Sequence, residues 1–151
     1  MKKGMKFGNH SNTHPHVNNL SYEENVTQIK DCSTKIEKII NKRTTLYRGP
    51  YGEYNDTVFK ASKSLNNIMI QWNIDTLDYD GLTGEEMWNR INKNLYNGSI
   101  ILTHNGTEHT ADSLEYLITN IKNKGYEIVP VSELIYKSDY YIDNTGMQIK
   151  N

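Results

Sequence analysis

His10 and His14 stand four residues apart in the segment His10-Ser11-Asn12-Thr13-His14-Pro15, and both imidazoles could serve one metal ion. On a helix, or at a strand end turning into one, an i,i+4 pair shares a face, and zinc needs each nitrogen at roughly 2.0–2.1 Å. The competing reading is a pair of surface histidines in a turn closed by Pro15. In a polar chain with 5 histidines the spacing leaves both open.

Three more segments put reactive side chains at the end of an apolar run. Arg48-Gly49-Pro50-Tyr51-Gly52 follows Thr45 to Tyr47, Asp75 to Tyr79 follows Ile68 to Trp72, and His104 follows Ser99 to Thr103. Short apolar runs of this type are expected as buried parallel strands. If strands and helices alternate around a barrel, the carboxyl ends of the strands meet on one face and bring these segments together there.

Taken in order, the segments closely resemble the motifs of the polysaccharide deacetylases of the NodB-homology type, carbohydrate esterase family 4. His-Ser-x-x-His-Pro at 10–15 is similar to the family's metal motif and Arg-Gly-Pro-Tyr-Gly at 48–52 to its third motif. Asp75 to Tyr79 is similar to the fourth, and Leu102-Thr103-His104 to the fifth. The resemblance covers residues 1–136 and leaves 137–151 as a polar C-terminal tail. It implies a distorted (β/α) barrel and a hydrolase that removes acetyl groups from N-acetylated or O-acetylated sugars of a polysaccharide such as peptidoglycan or a chitin-like glycan. It also implies an extracellular or cell-envelope location.

The roles follow from what such hydrolysis needs. An acetamide is a poor electrophile and water a poor nucleophile. A divalent metal, zinc by preference, polarises the carbonyl and lowers the pKa of bound water toward about 7. His10 and His14 are the expected ligands. His104 is the expected general acid toward the leaving amine, with Asp75 as the carboxylate that orients it. Arg48 offers a planar fork suited to a carboxylate, and in relatives it positions the catalytic aspartate. Pro50 sets a tight turn from which the Tyr51 backbone N–H would meet the oxyanion. Trp72, Tyr79 and Leu102 either wall the acetyl pocket and stack on a sugar or belong to the core. Each polar position has a plainer alternative: a strand-end histidine, a loop-capping aspartate, an ordinary Gly-Pro turn.

The chain also departs from the family. It contains no Thr-Phe-Asp-Asp-Gly, the segment whose aspartates supply the base and the third metal ligand in relatives. The stretch Met1–His10 is expected to be the strand leading into the metal motif, so the chain is expected to begin after the first strand and helix. An impaired enzyme is therefore expected, with Asp56, Asp78 or Asp80 as possible substitute bases. Two alternatives stand beside it: a non-catalytic glycan-binding fragment using Tyr51, Trp72 and Tyr79, and a decayed remnant.

Composition bounds the remaining classes. A net charge of −1 and a pI near 6.5 give no field for nucleic acid or anionic lipid. No apolar segment reads as a signal peptide or membrane span. Cys32 is the single cysteine, so no internal disulfide forms, and it is expected as a small buried residue.

The elements that must position these residues alternate regularly, predicting an α/β fold with a parallel sheet. Ser21 and Glu24 form a capping box ahead of a helix to about Asn41, with Val26, Ile29, Cys32, Ile36, Ile39 and Ile40 on its apolar face. A shorter helix is expected around Val58 to Leu65. Thr83 and Glu86 open another, lined by Met87, Ile91 and Leu95 and ending by Gly98. Leu114, Leu117, Ile118 and Ile121 line the next, stopped by Gly125. Tyr126 to Val129 read as a last strand, and from Lys137 onward a loosely ordered tail is expected. A barrel missing its first strand leaves open edges, which predicts a marginal monomer.

Overall fold

The computed structural model describes residues 5–143 and 145–151. The chain divides into two compact units, Met1–Gln71 and Trp72–Asn151.

In the first unit, helix α1 (Tyr22–Ile40) begins at the expected capping box, Ser21 and Glu24 bonding each other's backbone N–H reciprocally. Asn41 ends it in a left-handed conformation. Strand β1 (Leu46–Tyr47) pairs in parallel with β2 (Ile68–Met69), and helix α2 (Asp56–Ser64), capped by Asn55, connects them. Asn9 forms a parallel bridge to Tyr47 on the other side of β1, so the metal-motif segment runs alongside that strand. Val17, Ile29, Tyr47, Val58 and Ala61 form the buried core.

Tyr47 is fully buried, and burial pushes its phenol pKa up to about 12, with the neighbouring Cys32 adding to the shift. Its hydroxyl has no hydrogen-bond partner among the described residues. A buried unsatisfied polar group costs roughly 1–3 kcal/mol, so Tyr47→Phe is expected to stabilise the chain by about 1 kcal/mol. Urea denaturation checks this, and a loss of stability would show that the hydroxyl is satisfied in solution.

In the second unit, β3 (Ile74–Asp75) pairs in parallel with β4 (Ile101–Leu102), joined through helix α3 (Gly84–Asn94), which starts at the Thr83–Glu86 capping box. Helix α4 (Thr110–Asn123) follows, and Gly125 terminates it at φ +87°. Ile74, Met87, Ile91, Leu117 and Ile121 make this unit's core. A short helix α5 (Val131–Leu134) precedes an antiparallel pair, β5 (Tyr140–Ile142) and β6 (Gln148–Lys150).

Several expectations need correcting. The run from Ile68 to Trp72 is not one strand: β2 stops at Met69, and Trp72 opens the second unit ahead of β3. Tyr126 to Val129 form no strand: Ile128 is 48% exposed, and the Tyr126 hydroxyl instead donates to the Leu95 carbonyl. The expected loose tail contains the β5–β6 hairpin, held at its turn by the Asp143 carboxylate, which accepts from the Thr145 and Met147 backbone N–H groups. Cys32 is half-buried rather than buried. Ile39 falls at the edge of the α1 stripe and is 84% exposed, while Asn25 occupies the buried face. The strands of the described residues pair two by two and close no barrel. Of the expected strand over Met1–His10, residues 1–4 lie outside the described residues, and the remainder contributes the Asn9 bridge. No helix among the described residues is long and apolar enough to cross a membrane.

Candidate active site

In the first unit the sheet sets the two expected metal ligands. Asn9 donates its backbone N–H to Leu46 and accepts from Arg48, which brings His10 level with the end of β1. There the His10 Nδ1 lies 2.6 Å from the Arg48 carbonyl oxygen. A carbonyl only accepts, so Nδ1 carries the proton and, in the neutral ring, Nε2 carries the lone pair. This is the arrangement that metal-binding histidines ordinarily take. The His10 and His14 ring centroids are 5.0 Å apart, with the rings near perpendicular. Two imidazoles on one tetrahedral ion, each nitrogen about 2.0 Å from it, have centroids about 5 Å apart. The centroid separation therefore leaves room for both rings to serve one divalent ion. Among the described residues no group of three or more His, Cys, Asp or Glu side chains could hold one.

The loop carrying these histidines is tied down by two residues the motif reading did not single out. The buried Asn9 side chain donates to the Ile29 carbonyl at 2.7 Å and to Ser33 Oγ at 2.8 Å, and its oxygen accepts from the Ser11 backbone N–H at 2.9 Å. Gln28 Oε1 accepts from the backbone N–H groups of Asn12 and Thr13. Both anchors lead to α1, and they hold a loop in which Ser11 and His14 have φ of +70° and +58°.

Arg48 is half-buried, and burial lowers its guanidinium pKa. Pro50 is buried and starts a short 3-10 turn, Pro50–Gly52, in which Tyr51 takes φ +56° and stays 59% exposed. Tyr51 stacks face to face on His16 and meets His14 edge-on. Glu53 holds His16 through a 2.7 Å contact to its Nδ1. The hydrogen bonds from His16 and from the Asn18 backbone keep the Glu53 carboxyl below the usual range.

In the second unit His104 has a carboxylate partner, and it is Asp78 rather than Asp75. His104 Nδ1 lies 2.8 Å from Asp78 Oδ1, and the His104 backbone N–H donates to Asp78 Oδ2 at 2.5 Å. Thr110 Oγ1 donates to the same Oδ2 at 2.7 Å. Asp75 is occupied locally: its side chain accepts from the Leu77 N–H and from the Tyr79 hydroxyl, at 2.9 and 3.3 Å. The reason is the chain path. Leu77 turns left-handed at φ +54° and the 3-10 turn Asp78–Asp80 follows, which buries Asp78 to 1% exposure beneath His104. Asp-x-x-Asp spacing was the signal available for this substitution. Asp78 is thereby committed to His104 and Thr110 and is not a substitute base.

Tyr79 is 53% exposed, with its ring edge-on to His104 at 5.2 Å. Leu102 is buried in register with Asp75, and Trp72 is half-buried. Non-glycine residues with left-handed backbone cost about 1–3 kcal/mol each and collect where a fold over-determines them. Here Ser11, His14, Tyr51 and Leu77 lie in the motif segments, whereas Asn41, Asn66 and Asp139 lie elsewhere.

Burial raises the Asp78 pKa, but the hydrogen bonds from the His104 backbone, the His104 ring and Thr110 outweigh it, and the carboxyl sits below its ordinary value. A depressed folded-state pKa gives a contribution that is present above the ordinary aspartate value and lost as pH falls through the folded one. Stability is therefore expected to drop on acidification below about pH 4, and Asp78→Asn is expected to flatten that part of the curve. Parallel acid slopes in the two proteins would contradict this.

The polysaccharide deacetylase family profile matches residues 1–70. The chain is 33% identical over 140 residues to a peptidoglycan-N-acetylglucosamine deacetylase of Bacillus cereus, spanning 89% of this chain and 65% of that protein. It is 34% identical over 134 residues to the peptidoglycan-N-acetylmuramic acid deacetylase PdaC of Bacillus subtilis, spanning 28% of it. Its fold superposes on the crystal structure of a CE4 family pseudoenzyme from Bacillus anthracis with a TM-score of 0.81 at 31% identity, over 84% of this chain and 45% of that one. The chain thus spans less than two thirds of each of these relatives. The profile match falls on the segment that carries His10, His14 and Arg48, and the likeness to the relatives extends through His104, so over most of its length the chain is similar to polysaccharide deacetylases.

Proposed function

We propose that the chain carries machinery for metal-dependent removal of acetyl groups from N-acetylated, or O-acetylated, sugars of a cell-envelope polysaccharide such as peptidoglycan. The observation that carries this is the His10–His14 pair, with the His10 Nδ1 proton fixed on the Arg48 carbonyl. The two named deacetylase relatives act on peptidoglycan sugars, which favours that substrate class and an envelope location.

His10 and His14 would hold a divalent metal, zinc by preference; when bound, it supplies Lewis acidity toward the acetyl carbonyl. The Tyr51 backbone N–H donates to the oxyanion, with Pro50 setting its turn. His104, oriented by Asp78, delivers a proton to the leaving amine. Asp75 supports this group through Tyr79 and through the Leu77 turn. Arg48 is the partner for a carboxylate, and Trp72, Tyr79 and Leu102 are the candidate contacts to the sugar and acetyl group.

Without the aspartates of Thr-Phe-Asp-Asp-Gly, this chain by itself should be slow, because a missing general base costs roughly 10²–10⁴-fold. The test is acetate release from acetylated chitooligosaccharide and from peptidoglycan, with added zinc and with a chelator. Slow release that the chelator abolishes is expected. Release that ignores the chelator would sink the metal role, and a rate matching that of the longer relatives would sink the impairment.

A second reading is a non-catalytic glycan binder. It is favoured by the two-ligand histidine pair and by the likeness to a structure described as a pseudoenzyme. It predicts oligosaccharide binding through Tyr51, Trp72 and Tyr79 that survives the chelator, with no acetate released.

A further inference from the structure

His16 and Glu53 belong to none of the motifs, yet they build a clamp on Tyr51. The His16 ring lies 4.1 Å from the Tyr51 ring and 11° from parallel with it. Glu53 fixes the plane of that imidazole: Oε1 lies 2.7 Å from His16 Nδ1, and Oε2 accepts from the Asn18 backbone N–H at 3.1 Å. The same glutamate closes the turn beneath Tyr51. Its backbone N–H donates to the Pro50 carbonyl at 3.0 Å, and its carbonyl oxygen packs so tightly on Gly49 that a Cβ there would collide with it. Gln71 Nε2 donates to the Gly52 carbonyl from outside the turn.

Tyr51 needs such support. It sits at φ +56°, ψ +13°, a conformation that costs a tyrosine roughly 1–3 kcal/mol and persists only where the surroundings enforce it. Its ring is mostly exposed, so burial does not enforce it.

We propose that His16, oriented by Glu53, is a positioning residue: its stack on Tyr51 holds the strained 50–53 turn and so aims the Tyr51 backbone N–H. That the N–H then serves an oxyanion rests on the deacetylase reading above; the clamp itself does not.

The test uses the full 151-residue chain in two readouts. Amide hydrogen exchange by NMR reports the turn in the free protein, and acetate release reports kcat and KM. In His16→Ala, exchange at the Tyr51, Gly52 and Glu53 amides is expected to rise about tenfold, with the amides of α1 and α4 unchanged. The same variant is expected to lower kcat about tenfold with KM nearly constant, as for an interaction made in the transition state. His16→Phe, which keeps a stacking ring and loses the Glu53 contact, is expected to recover most of both. Unchanged exchange at the three amides in His16→Ala would overturn the clamp, and so would a His16→Phe variant as loose as His16→Ala. If exchange responds as expected while the unsubstituted chain releases no acetate, the clamp stands and the deacetylase reading falls.

Discussion

Asp78→Ala is expected to destabilise the chain by about 3 kcal/mol, more than a typical substitution. Asp78 is 1% exposed and accepts from the His104 N–H, the His104 ring and the Thr110 hydroxyl. Truncation strands these three donors, all of them in bonds that are buried or partly buried, and each unsatisfied buried group costs roughly 1–3 kcal/mol. Local relaxation and access of water to the half-exposed His104 ring keep the total below the sum. Thr107 Oγ1 donates to Thr110, so the disturbance extends into the start of α4. Urea denaturation measures the loss. Asp75→Ala is the informative contrast, because Asp75 serves the half-exposed Leu77 turn and Tyr79; it should cost about 1 kcal/mol. Equal losses in the two variants would return Asp75 to the role assigned here to Asp78.

The second large effect is expected at a residue with no catalytic chemistry. Asn9 is 2% exposed, and its one amide joins α1, through Ile29 and Ser33, to the loop that begins at Ser11. Asn9→Ala removes all three hydrogen bonds, leaves the Ile29 carbonyl without that donor and opens a small void. A loss of about 2–3 kcal/mol is expected. The same change frees the left-handed Ser11 and His14 from their anchor. Divalent-metal affinity should fall about 10–100-fold, the range for losing a supporting contact around a metal ligand. Thermal denaturation and zinc titration read the two effects separately. A stable variant with unaltered zinc affinity would show that the Gln28 contacts suffice.

Local chemistry made the helices legible. Both capping boxes form as their Ser-x-x-Glu and Thr-x-x-Glu spacings require, and of the expected α4 stripe Leu117 and Ile121 are buried while Leu114 and Ile118 are 43% and 40% exposed. What the sequence left hidden depended on tertiary pairing. Tyr126 to Val129 have strand composition but no ladder partner among the described residues, whereas Tyr140 to Ile142 find one in β6 across an Asp143 turn that composition had assigned to a tail. The Ile68 to Trp72 run shows the same limit, since apolar content does not mark where one strand ends and the next unit begins. At the site, residue types and spacing named His10, His14 and His104. The left-handed turn at Leu77 then exchanged Asp75 for Asp78, because a backbone reversal, not a periodicity, decides which carboxylate reaches the imidazole. His16 and Glu53, 37 residues apart, meet through folding alone.

If His10 and His14 form the metal-holding half of a deacetylase site, zinc titration of the whole chain by calorimetry will register it. One zinc per chain is expected, with binding weakened more than about 100-fold in His10→Ala and in His14→Ala, beyond the range for losing a supporting contact, and unchanged in His109→Ala. Absence of zinc binding, or binding that both histidine substitutions leave intact, would contradict it.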